Sequence, residues 1–360
     1  MQDTPTPLTW GLTLATYMRH GPLLQCIESA LTQTRPPIEI VVVDASQVGM
    51  QQAKQATLDL VARHHAAGGP AVGVHYVRSE IAQHTVQWNR AVAASSADVL
   101  FLIDDDTLLH PKCAEILLAV YESDDGSVGG QPPISAVSAI EAGVWPIPDD
   151  AIARAARIER GGAQRGRGIY WFRHASFRHG RPLRSYSMNG VPLRSVRSFV
   201  GAYMTARRRD AVAEPMNEAM VLNNQEDIDV SLRWLQRGAL VEVRLPLMHH
   251  LQTPRADGQI RTGWLDRFSF CLNHAHTHRK GPGGSVQRTA AVLVNHLRFI
   301  AIDVARVIVK RRVQPLIGDL RATPGVLCIS IMPRRRLAAY VIERSRAARA
   351  QNMAGRPPVT

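Results

Sequence analysis

Long apolar runs, clustered cysteines and acidic residues are all scarce in this 360-residue chain, and each shortage excludes something. No run reaches the ~18–20 apolar residues that cross a bilayer. The nearest, Ala291 to Val309, is interrupted by His296, Arg298, Asp303 and Arg306. The cysteines, Cys26, Cys113, Cys271 and Cys328, form no CxxC pair. That excludes the usual zinc spacing and a dense disulfide framework, and it favours a reducing cytoplasm. The opening residues MQDTPTPLTWGLTLAT lack a basic stretch followed by a long apolar core, so no signal peptide is expected. Internal repeats and low-complexity tracts are missing too. With 30 acidic residues against 43 lysines and arginines the net charge is +13, which favours anionic partners: nucleotide phosphates, nucleic acid or an acidic membrane surface.

What is present is a chain long enough for one large domain plus a helical appendage. Apolar runs alternate with helix-compatible stretches through the first hundred residues. Strands are predicted at Leu12 to Thr16, Ile38 to Val43, Val72 to Val77 and Val99 to Ile103. Helices are predicted at Pro22 to Gln33, Met50 to Ala66 and His84 to Ala94. This order points to an α/β fold, a mostly parallel sheet with helices on both faces. Polar residues stand just past three strand ends: Thr16-Tyr17, Asp44-Ala45-Ser46 and Asp104-Asp105-Asp106. In open α/β sheets the ligand crevice lies at those ends, so the three points are expected to converge.

Arg154 to Arg197 is rich in Arg, Gly, Ser and His without periodicity and reads as an irregular insertion. Regular patterning returns with Phe199 to Thr205, a helix Gln225 to Arg237 and a strand Leu240 to Arg244. After Gly281-Pro282-Gly283-Gly284 the chain reads as a basic, mainly helical tail. The expected organisation is a catalytic domain over 1–280, with halves at about 8–130 and 131–280, and a helical extension over 281–360.

Three adjacent carboxylates repel one another unless a cation neutralises them. Mg²⁺ and Mn²⁺ want hard oxygen ligands, commonly one or two carboxylates plus substrate phosphates. Alternation in extended backbone lets Asp104 and Asp106 share a face. Taken alone, the triplet is equally a solvated acidic turn ahead of Pro111; its place at a strand end favours metal.

The motifs resemble family 2 glycosyltransferases with the GT-A fold. Leu14 to Arg19 is similar to the opening strand, and Gln33-Thr34-Arg35-Pro36-Pro37-Ile38-Glu39-Ile40-Val41-Val42-Val43-Asp44 to the Q-T-x-P-P-x-E-I-I-V-V-D pattern. Trp88 to Val92 resembles the R-N-x-G-I helix start, with Ala91 in place of glycine. Asp104 to Asp106 stands at the D-x-D motif, and Glu226-Asp227-Ile228-Asp229-Val230-Ser231-Leu232-Arg233 with Gly238 matches E-D-x-D-L-x-L-R…G. The resemblance implies inverting transfer from a nucleoside diphosphate sugar to a glycan, glycolipid or lipid-linked acceptor, with Mn²⁺ or Mg²⁺. It places Thr16, Tyr17, Arg19, Asp44, Arg78, Asn89, Asp104 and Asp105 at the donor, and Asp106 with His249 or His250 at the metal. The catalytic carboxylate falls in the Glu226-Asp227 pair, with Asp227 as base and Asp229 as an orienting residue.

Each of these has a plainer reading. Acids opening a helix favour its positive end, by about 0.3–1 kcal/mol each, and His249-His250 could be a surface strand end. His274, His276 and His278 at alternate positions scatter around a helix, and a solvated basic helix explains them better than zinc. The arginines of 154–197 and Arg334-Arg335-Arg336 suit an anionic acceptor or peripheral contact with the inner face of an anionic plasma membrane. No nucleic acid is expected. The competing functions are a nucleotidyltransferase, which normally carries a glycine-rich phosphate loop that Thr16 to Gly21 does not resemble, and a non-catalytic nucleotide-sugar or nucleic-acid-binding protein.

Overall fold

The structure is a computed structural model that describes residues 6–124, 133–160, 185–220, 225–253, 271–273, 285–310, 314–333, 335–337 and 339–343. Its centre is a ten-stranded sheet. The chain runs β1 (Trp10–Thr16), α1 (His20–Leu31), β2 (Glu39–Asp44), α2 (Met50–Ala66), β3 (Gly73–Arg78), α3 (His84–Ala94) and β4 (Val99–Ile103). It continues through β5 (Thr107–Leu109), α4 (Cys113–Glu122), β6 (Ile134–Glu141), α5 (Asp149–Arg160), β7 (Ser185–Met188), β8 (Val191–Ser195) and β9 (Tyr203–Arg207). Then follow α6 (Arg208–Ala213), α7 (Glu226–Arg237), β10 (Ala239–His250), α8 (Ser285–Lys310) and α9 (Gln314–Ile331).

The strand order is β3-β2-β1-β4-β9-β6-β10-β8-β7, with β5 pairing β10. The first four are mutually parallel. The unbroken apolar runs explain why. Along β1, Leu12 and Leu14 enter one core, with Phe101 and Ile103 of β4 beside them. Ala15, Leu100 and Leu102 enter a second core with Trp88 and Trp234. Period-two alternation puts these cores on opposite faces of the sheet, so both must be covered by helices. A fully buried Leu or Phe contributes roughly 1.5–3 kcal/mol.

Glu39 anchors the far end of the parallel block. Its buried carboxylate accepts hydrogen bonds from Ser95 Oγ (2.5 Å), Ser96 N (2.7 Å) and Ala97 N (2.9 Å), which fixes the α3–β4 turn. Gly238 serves the other block through close approach. A Cβ there would lie 2.2 Å from the Pro133 carbonyl oxygen and 2.9 Å from Ser135 N.

Three readings of the sequence change. The stretch taken as irregular begins inside α5 and holds the β7–β8 hairpin at its end. Asp149 and Asp150 open α5 and Ile152, Ala155 and Ala156 pack on the core, which the surrounding arginines obscured. The regular patterning at Phe199 to Thr205 leads into β9 at Tyr203–Arg207. The strand expected to end at Arg244 runs to His250, because Pro246 sits at a register shift against β6 where no ladder donor is needed.

Helices α8 and α9 form an antiparallel hairpin. Thr289 Oγ1 donates to the Ser330 carbonyl (2.6 Å), and His296 Nε2 lies 2.9 Å from Thr323 Oγ1. Val292, Ala322, Val326 and Ile329 form their shared core with Cys271 and Leu272. The described helices include none long and apolar enough to cross a membrane. His274, His276 and His278 lie outside the described residues.

Candidate active site

The site assembles at the carboxyl ends of the parallel strands. Register places Thr16 beside Asp44 and Asp44 beside Arg78. Gln87 of α3 clasps two of these ends, donating to the Thr16 and Val43 carbonyls at 2.8 Å each. Asp44 is fully buried, yet its carboxylate accepts from Ser46 N (2.6 Å) and Tyr76 Oη (2.7 Å). Burial, with the hydrogen bond and charge of Asp44, raises the Tyr76 phenol well above its ordinary range. Asp44 is thus held rigidly at the carboxyl end of β2.

Asp104-Asp105-Asp106 follows β4 and turns directly into β5, the Thr107 amide donating to the Asp104 carbonyl (3.0 Å). β5 pairs antiparallel with the end of β10, setting Thr107 opposite His250. This pairing delivers His250 to the acids: its Nε2 lies 3.0 Å from Asp106 Oδ1 and 3.6 Å from Asp104 Oδ2. The chain just past β10 adds Thr253, whose amide (3.0 Å) and hydroxyl (2.5 Å) both donate to Asp106 Oδ2.

Arg19 closes the cluster from the β1 side. Its guanidinium pairs with Asp105 and with Asp106 Oδ2 (3.0 Å). Burial works against charge on Asp106, but hydrogen bonds from His250 and Thr253 and the Arg19 cation hold its carboxyl well below the usual range. Asp105 goes the other way. Burial pushes it up to about 6, with Asp106 and Asp104 adding to the rise against the help of Arg19 and Thr16, whose hydroxyl donates at 2.6 Å. One acid is therefore kept anionic beside a neighbour that resists ionisation.

Asp104, Asp106 and His250 each offer a ligand atom, all within 4.8 Å of one another. Two hard carboxylate oxygens and one imidazole suit Mn²⁺ or Mg²⁺, the imidazole favouring Mn²⁺. The residues present therefore fit the ion. His249 goes elsewhere. Its Nδ1 lies 2.7 Å from the Ala142 carbonyl, and its ring stacks near Trp145 at 6.4 Å.

The Glu226-Asp227 pair begins α7, preceded by Gln225 at φ 65°. Asp227 Oδ2 accepts from the Gly201 amide (3.1 Å) and Oδ1 from the Ile228 amide (2.8 Å). Asp229 turns to Arg233, 3.0 Å away. Glu226 reaches the triplet through His84, whose Nδ1 is 3.7 Å from Glu226 Oε1 and whose Nε2 is 3.5 Å from Asp104 Oδ1. Burial opposes charge on His84, but Glu226, Asp104 and Asp105 raise its pKa above the ordinary imidazole value.

Asp44, Asp104, Asp105, Asp106, Thr16, Arg19, Glu226 and His250 thus cluster at the carboxyl ends of β1, β2 and β4. Tyr17 continues from Thr16 and is half-buried. Arg78 is largely exposed and paired with Glu80 (3.1 Å). Asn89 is engaged in holding a loop, its Nδ2 donating to the Met216 carbonyl (3.0 Å) and its Oδ1 accepting from the Met216 amide (2.7 Å). Arg154 and Arg194, from the basic stretch, pair with Asp150 and Glu242. His84, Tyr76, Gln87 and Thr253 were not singled out from sequence, and only spatial convergence identifies them.

Residues 13–181 match the family model described as Glycosyl transferase family 2. The crystal structure of S. aureus TarS 1–349 superposes at TM-score 0.51 and 10% identity, over 98% of this chain and 93% of that one. The same protein in complex with UDP-GlcNAc gives 0.52 at 11% identity with the same coverage. A longer S. aureus TarS structure gives 0.50 at 10% identity, over 96% of this chain and 54% of that one. These likenesses are of fold. No curated protein sequence matches the chain.

Proposed function

We propose that this chain, whose residues 13–181 match the Glycosyl transferase family 2 model, is a glycosyltransferase that moves a sugar with inversion from a nucleoside diphosphate to an acceptor hydroxyl. The observation that carries this reading is the meeting of Asp104, Asp106 and His250, ligand atoms brought within 4.8 Å from strands far apart in sequence. These three would hold Mn²⁺ or Mg²⁺, which when bound offsets the charge developing on a diphosphate leaving group. Asp44, fixed by Tyr76 and Ser46, offers an acceptor to the nucleoside. Asp227 is the base. Backbone amides from Gly201 and Ile228 stabilise its anion and hold it in place. Proton removal by a positioned carboxylate is typically worth 10²–10⁴-fold. Glu226 positions His84, whose imidazole orients Asp104 and offsets its charge. The acceptor is a glycan, glycolipid or lipid-linked sugar, and the catalytic unit is 1–280, ahead of the α8–α9 hairpin.

The test is transfer with a panel of nucleotide sugars, starting with UDP-GlcNAc because the TarS structure holds it. The Asp227→Asn protein should lose 10²-fold or more of its turnover while binding the nucleoside diphosphate as the wild type does. Undiminished turnover would reject the assignment of the base. Release of pyrophosphate in place of a nucleoside diphosphate would mark a nucleotidyltransferase.

A further inference from the structure

The α8–α9 hairpin is turned inside out relative to an ordinary surface pair. Its packed side holds the polar residues His296, Asp303 and Asp319 among the apolar ones. Its solvent side carries an apolar stripe on each helix. On α8, Val294, Leu297, Val304 and Ile308 are exposed, Ile308 by 77%. On α9, Leu320, Leu327 and Ile331 are exposed, Ile331 by 78%.

The two stripes share one face. At about 100° per residue, the α8 set centres roughly 120° from buried His296, and the α9 set lies in the same rotational sense from buried Val326. Because the helices are antiparallel, joined at Thr289–Ser330 and His296–Thr323, equal rotations in each frame bring both stripes to the same side. A contiguous apolar surface of this kind marks a contact site.

Charge selects the partner. Between Ser285 and Arg336 there are ten lysines and arginines and two acids, Asp303 and Asp319, both fully buried. Lys310-Arg311-Arg312 separates the helices in sequence, and Arg334-Arg335-Arg336 follows the second. A second copy would bring like charges together, whereas an anionic bilayer offers an apolar interior beneath a negative surface. We infer that the α8–α9 hairpin lies in the interface of an anionic phospholipid membrane, with Leu297, Ile308, Leu327 and Ile331 entering the acyl boundary and Arg335 and Arg336 meeting the headgroups. Neither helix spans. This surface is independent of the sugar-transfer reading.

The full chain would be floated with vesicles of phosphatidylcholine alone or phosphatidylcholine with phosphatidylglycerol. It should rise only with the anionic vesicles, and less at high salt. Leu297→Ser with Ile308→Ser, and separately Leu327→Ser with Ile331→Ser, should each weaken partitioning at least about tenfold. Since these positions are exposed, thermal melts and nucleotide binding should not change. Wild type that stays unbound, or double variants that float as well as wild type, would overturn the inference. So would a wild-type dimer by light scattering that the variants dissolve while vesicle binding stays absent, which would assign the face to a second copy.

Discussion

Asp106→Asn separates the two tasks given to that carboxylate, holding the fold around the cleft and holding a cation. In the cation-free protein Asp106 accepts from Arg19, His250 and both donors of Thr253. Charge-assisted hydrogen bonds contribute about 1.5–3 kcal/mol against roughly 1 for neutral ones. Relief of repulsion with Asp104 and Asp105 offsets part of the loss, leaving about 2 kcal/mol, a fall of roughly 3 °C in melting temperature for a chain of this length. A cation at a hundred times its dissociation constant stabilises the wild type by about 2.7 kcal/mol, and the variant, short of a ligand, gains almost none. Calorimetric melts at pH 8 with chelator, then with Mn²⁺, would measure both quantities. That pH lets the cation compete with the proton on His250, whose pKa Asp106 and Asp104 raise against the effect of burial. Because the Asp106 pKa is depressed, its own contribution is complete above about 3.9, the unfolded value, and is lost only as pH falls through the folded value. An Asp106→Asn protein that melts like the wild type and gains the same increment from Mn²⁺ would refute the reasoning.

Other substitutions isolate other parts. His250→Ala should weaken Mn²⁺ binding by 10-fold or more, measured by titration calorimetry, while His249→Ala leaves it unchanged. Glu39→Ala strands the donors of Ser95, Ser96 and Ala97 and should cost about 2–4 kcal/mol in denaturant unfolding at pH 7. Although burial opposes charge there, those hydrogen bonds lower the Glu39 pKa, so the deficit should shrink as pH falls from about 4. Gly238→Ala drives a methyl into the Pro133 carbonyl and should destabilise by about 1–3 kcal/mol, seen as a lower denaturation midpoint.

The parallel half of the fold was legible because β2 and β4 are apolar runs ended by acids, so Asp44 and Asp104 to Asp106 could be placed at strand ends directly. The second half was not. β6, with small residues and serines over Ile134–Glu141, gives little hydrophobic contrast, and the strand expected to stop at Arg244 continues through Pro246, which marks a shift of register. His249 and His250 could not be told apart for a related reason. Adjacent strand residues face opposite sides, so one had to turn away, but which one depends on pairing with β5, a three-residue strand with no signal of its own. Thr253 and His84 carry no local signature because their role lies in what they approach.

The central claim is that one divalent ion is held by carboxylates of the Asp104–Asp106 turn and an imidazole at the end of β10. Anomalous diffraction at the manganese edge, from crystals grown with Mn²⁺ and a nucleoside diphosphate, tests it most directly. The account predicts a peak in ligand contact with Asp106 and His250, beside Asp104, with the diphosphate completing its shell. A peak bound by other residues, or ordered diphosphate in the cleft with no manganese beside it, would contradict it.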